Sequence, residues 1–179
     1  MSGWFHLMGQ KNSKNIIVLA HLFFGISIGA FAQVSATAEA SGNVVAPISI
    51  IKAVDMSFGN VAVGASAGSV VLTPDGHRTQ TGGLSLPGIT GTVSAASFDV
   101  TGAPNFTFYI TLPSTPLLVT NGSNNMTVDM FASNPDITGV LNANGTQTVK
   151  VGATLNVGAL QPVGHYTSAD PFAVAVNYN

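Results

Sequence analysis

The chain has 179 residues, no cysteine, and only 7% charged side chains, with a formal net charge of −2. The missing cysteines exclude disulfides, thiolate metal sites and cysteine nucleophiles together. The five scattered lysines and arginines cannot form the basic stripe that nucleic acid requires, nor hold an anionic membrane surface.

Residues 1–32 read as an export signal. Lys11 and Lys14 precede an apolar run through Ile16–Ala20, Leu22–Phe24 and Ile26–Phe31. The run ends in Ala30-Phe31-Ala32, which fits the small-x-small rule for signal peptidase. A retained anchor is the rival reading, because the apolar length approaches the roughly 20 residues of a membrane span. His21 and the cleavage-type end favour removal. Cleavage would leave residues 33–179 as one domain, large enough to bury a sizeable core, with no membrane span. That product would be secreted or held at the cell surface after periplasmic transit.

The rest of the chain is a succession of short alternating segments. Val34, Ala36, Ala38 and Ala40 share one side of a weak strand over Gln33–Ser41. Val44–Ile51 is stronger, although Pro47 confines it to an edge or a bulge. Asp55–Val63 starts with Met56 and Phe58 inward and loses phase at Gly59-Asn60. Val70-Val71-Leu72 ends at the turn Pro74-Asp75-Gly76. Thr92–Val100 and Phe106–Leu112, joined by Gly102-Ala103-Pro104-Asn105, read as a hairpin at the heart of the core. Each fully buried Phe, Ile or Leu there is worth about 1.5–3 kcal/mol. Leu117–Val119 stops at Asn121-Gly122. Met126, Val128 and Met130 then point inward, with Thr127, Asp129 and Phe131 opposite.

Thr146–Val157 is the longest alternating run. The final stretch places Phe172, Val174, Val176 and Tyr178 on one face and Ala173, Ala175 and Asn177 on the other. No segment after residue 32 keeps helical spacing. Short strands about ten residues apart with Gly/Pro/Asn turns predict an all-β sandwich or barrel. Scattered aromatics and interrupting prolines argue against an outer-membrane barrel.

Little chemistry is offered. His77 and His165 stand alone, outside any ligand spacing. Asn134-Pro135-Asp136 and Asp170-Pro171 are turn sequences rather than calcium loops. No Gly-x-Ser-x-Gly elbow or phosphate loop occurs. Neither an enzyme nor a cofactor is expected. The aromatics Tyr109 and Phe131 fall on the polar sides of their strands, where a sugar- or protein-binding surface would use them.

Six segments carry a resemblance. They are Asp55–Asn60 (DMSFGN), Thr92–Phe98 (TVSAASF), Tyr109–Pro113 (YITLP), Met126–Asp129 (MTVD), Gly152–Gly158 (GATLNVG) and Val174–Tyr178 (VAVNY). Together they resemble the bacterial secreted family catalogued as domain of unknown function forty-four-oh-two, over roughly Ala36–Asn179. The layout is also similar to pilin and spore-coat-like subunits of chaperone–usher systems, with an alternating N-terminal segment and a penultimate aromatic, Tyr178. It departs from them in lacking a disulfide and in offering alanines in place of bulky knobs.

That likeness implies an immunoglobulin-like, Greek-key antiparallel sandwich and assembly by β-strand addition. The partners would be further copies of the chain or a periplasmic chaperone. Val34, Ala36, Ala38 and Ala40 would supply the added strand. Phe172, Val174, Val176 and Tyr178 would border the groove that receives it. The alternative is a self-contained sandwich that binds glycan or protein through its loops.

Overall fold

The computed structural model describes residues 32–179, so the expected export signal lies, except for Ala32, outside the described residues. The chain divides into two units, Met1–Gly42 and Asn43–Asn179. In the first, residues 32–42 form no strand and are exposed throughout. The weak strand expected over Gln33–Ser41 is therefore not formed. Its alanines bury too little area to offset the cost of ordering the backbone, about 1–2 kcal/mol per residue.

The second unit holds eleven strands and no helix. They are β1 (Ser49–Val54), β2 (Ala62–Leu72), β3 (Arg78–Ser85), β4 (Ala96–Thr101), β5 (Thr107–Thr111), β6 (Leu117–Thr120), β7 (Asn125–Asn134), β8 (Thr138–Val140), β9 (Thr146–Val157), β10 (Thr167–Ser168) and β11 (Ala175–Tyr178). A large curled sheet runs β1-β4-β9-β7-β6-β10, with β2 and β3 attached to β9, and a small sheet runs β11-β5-β8. Every pairing is antiparallel.

The twelve residues of β9 are the spine. Along one edge β4 pairs with Thr146–Val151 and β2 with Ala153–Val157, end to end. The other edge is taken by β7. Gly152 sits where β4 gives way to β2. A side chain there would overlap the carbonyl of Leu72 and the Thr73-Pro74 backbone. Glycine is what lets the turn after β2 cross so close to the spine.

Two cores lie against the large sheet. Phe98 and Val100 of β4 and Val149 and Val151 of β9 pack with Phe108 and Ile110 of β5 and with Leu141. The small sheet thus covers this half. The other half joins Val70, Leu84, Val119, Val128, Ala153, Leu155 and Val157. Met56 and Phe131 touch both clusters. The stretch around Met56 and Phe58 is a strap rather than a strand. Ser57 forms an isolated bridge with Ser94, Gly59 is left-handed at φ 65°, and the Arg78 guanidinium donates to the carbonyls of Phe58 and Asn60.

Two further expectations are corrected. The segments Thr92–Val100 and Phe106–Leu112 do not form a hairpin. β4 pairs with β1 and β9, whereas β5 pairs with β8 and β11. Gly102–Phe106 arches from one sheet to the other, with Asn105 left-handed at φ 64°. Phe98 and Phe108 therefore enter the same cluster from different sheets instead of lying side by side. Met130 is not inward. A bulge between Asp129 and Ala132 sets three steps of β7 against two of β9, with Met130 at φ 50° and 78% exposed. The extra residue reverses the phase, so Phe131 turns in and packs on Phe172 at 5.1 Å between ring centroids.

Phe108 is fully buried, and Gly139 leaves room for the edge of its ring. Phe108→Ala is expected to cost about 3–5 kcal/mol. Equilibrium urea unfolding read by near-UV circular dichroism and by tryptophan-independent far-UV signal should show this as a lowered midpoint.

Candidate functional site

The site with the clearest structural character is the seam between the two sheets at β1 and β11. Each is the last strand of its sheet there, since among the described residues β1 pairs only with β4 and β11 only with β5. Their free edges carry unpaired backbone groups, the feature that accepts a strand from another chain.

The sequence alternation explains what lies beneath. Phe172, Val174, Val176 and Tyr178 face inward and Ala173, Ala175 and Asn177 outward, as the pattern requires. Across the seam, Ile48 and Ile50 point to the same core. All six inward residues are half-buried, whereas Val100, Phe108, Val149 and Val151 of that cluster are fully buried. Core side chains are thus incompletely covered where the backbone is also unpaired. Phe172 additionally meets Phe98 edge-on at 6.2 Å between ring centroids.

One end of the seam is latched by Tyr178. Its hydroxyl donates to the Ala46 carbonyl at 2.9 Å and accepts from the Ala103 N–H at 2.6 Å. Its ring stands edge-on to Phe106, 5.6 Å between centroids. A side chain at Gly102 would overlap the hydroxyl. The latch ties together the approach to β1, the β4–β5 arch and the end of β11. The sequence marks Gly102 and Ala103 as a turn but does not show the latch, because contacts across 132 and 75 residues leave no local pattern.

The eight residues expected to take part in strand exchange fall into two groups. Phe172, Val174, Val176 and Tyr178 are brought together on the core side of the seam. Val34, Ala36, Ala38 and Ala40 lie in the exposed segment of the first unit, with Val34 93% exposed. Elsewhere, His77 and His165 are both exposed. Among the described residues no three or more His, Asp or Glu side chains gather as a metal site would require.

Comparison with protein families gives one match: the family described as "Domain of unknown function (DUF4402)" covers residues 48–178. The matched span begins at the half-buried Ile48 and ends on the latch tyrosine. No curated protein and no solved structure matches the chain.

Tyr178→Phe keeps the ring and removes both hydroxyl bonds. At about 0.5–1.5 kcal/mol per hydrogen bond, it is expected to lower stability by about 1–3 kcal/mol in chemical denaturation. Hydrogen exchange should speed up at the Ala103 amide before the β9 amides are affected.

Proposed function

The chain belongs to the DUF4402 family, and for it we propose a structural role: an exported surface subunit that assembles by β-strand addition. The observation that carries this reading is the seam, where two unpaired strand edges flank a half-covered core. The occupant we assign is the segment Gln33–Ser41 of a second copy. It alternates Val34, Ala36, Ala38 and Ala40 with polar residues, it is fully exposed, and it forms no strand in its own unit. Added at the seam, its backbone groups would pair with an open edge while its small apolar side chains lie over Ile50, Val174 and Val176.

Two antiparallel sheets sharing a core, with the chain arching between them at Gly102–Phe106, support a sandwich of immunoglobulin-like Greek-key type. In this reading residues 1–32 direct export, and a periplasmic chaperone protects the open seam until assembly. No catalytic step or cofactor belongs to the proposal, and its setting is the cell surface.

Removing Gln33–Ser41 tests it. The shortened chain is expected to keep its unfolding midpoint and to sediment as a single small species. The parent should give heat-sensitive ladders on unboiled gels and fibres by electron microscopy. The pair Ala36→Pro and Ala38→Pro, which leaves the chain length unchanged, should act as the deletion does, because proline cannot donate to a ladder. Assembly that survives both changes would refute strand addition by this segment.

A further inference from the structure

The half of the large sheet away from the seam carries a shallow groove of about 630 Å³ on its outer face. Its floor is a polar row across four strands. Thr127 of β7 lies opposite Asn156 of β9, Asn156 opposite Ser69 of β2, and Ser69 opposite Thr81 of β3. The alternation that sends Val128, Leu155, Val157 and Val70 into the core sends this row outward.

The hydrogen bonds of the row leave defined capacity unspent. The Ser69 and Thr81 hydroxyls are 2.8 Å apart, and one proton serves that bond, so the second hydroxyl proton remains free to donate. Asn156 Nδ2 donates to Asp129 Oδ2 at 3.0 Å and to Thr127 Oγ1 at 3.4 Å. Both partners are on β7, and the other branch of the carboxamide, Oδ1, is left as an acceptor. At the far wall Gln161 Nε2 donates to the Asn125 carbonyl at 3.2 Å and the Tyr166 hydroxyl at 3.0 Å. That fixes the Gln161 carboxamide and leaves its Oε1 as a second acceptor. Among the described residues no charged side chain lines the groove, and Gly68, Gly82 and Gly158 leave its walls bare.

We infer that this groove binds a neutral saccharide. Fixed acceptors beside a free hydroxyl donor match neighbouring sugar hydroxyls, each of which donates and accepts. An anion would find no cation, and its nearest charge would be the Asp129 carboxylate behind Asn156. An apolar ligand would bury these polar groups without partners, which disfavours it. Among the described residues the groove's lining holds no aromatic ring, so affinity rests on hydrogen bonds and should be in the millimolar range. The inference does not depend on strand addition, because the groove and the seam lie over different halves of the sheet.

The test is an amide NMR titration of the ¹⁵N-labelled full chain carrying Ala36→Pro and Ala38→Pro, a single small species whether or not the parent assembles, with cellohexaose, mannohexaose and chitohexaose, each to low-millimolar concentration. At least one is expected to shift the amides of Gly68, Gly82 and Gly158. Ser69→Ala combined with Gln161→Leu, both half-buried in the groove, should weaken that binding about tenfold, equivalent to roughly 1.4 kcal/mol, while the remaining amide spectrum stays native. Tyr109→Ala, on the outer face of the small sheet, should leave binding unchanged. Three outcomes would overturn the inference. They are a folded protein with no groove shifts for any of the three sugars, shifts that centre on Tyr109 and vanish in Tyr109→Ala, or stronger groove shifts with an acidic hexagalacturonate than with the neutral sugars.

Discussion

The second unit depends on β9 having both of its edges occupied. Buried backbone groups without partners are costly, and a central strand twelve residues long must find partners along its whole length. One neighbour, β7, serves one side. Two shorter strands, β4 and β2, share the other and meet at Gly152. That division gives the sheet its two halves and the protein its two apolar clusters. It also separates the half that ends in the seam from the half that carries the polar groove.

The parts of this arrangement that were legible in the sequence are those set by a single strand and its own faces. Thr146–Val157 and the alternation of Phe172–Tyr178 appear as read, because period-two patterning reports directly which side is buried. The turns at Gly76 and Gly122 also appear, each with the positive φ that favours glycine. Alternation says nothing about which strand lies beside which. The segments now known as β4 and β5 were well patterned, and the short connection between them suggested a hairpin. Both instead point a phenylalanine into the same core from opposite layers. At Met130 one inserted residue was enough to exchange the faces of everything after it, and neither flanking residue type announces a bulge.

The candidate sites were legible to different degrees. The inward residues of the last strand could be named from the sequence. Their special position could not, since an edge is defined by strands that are absent beside it, and β1 and β11 come from opposite ends of the second unit. The polar groove was less visible still. Ser69, Thr81, Thr127 and Asn156 are unremarkable residues in a Thr- and Asn-rich chain, and only the register of four strands places them in one row. The Asn156 carboxamide gains a fixed orientation from Asp129, a neighbour 27 positions away.

The hydroxyl of Tyr178 also sets an order in time. Its bond to Ala46 closes a loop of 132 residues, and a loop of that length carries a closure cost that local contacts do not share. A polypeptide made from its N-terminus, or threaded through a membrane in that direction, presents Ala46 long before Tyr178 exists to meet it. Until then the small sheet has no β11, and Phe98, Phe108 and Val149 have lost part of their cover. Between the making of Val151, which completes the buried cluster, and that of β11, the nascent chain therefore has its largest apolar cluster open on one flank. Other chains in the same condition are its natural hazard during that interval, and completion of the last strand brings the interval to a close.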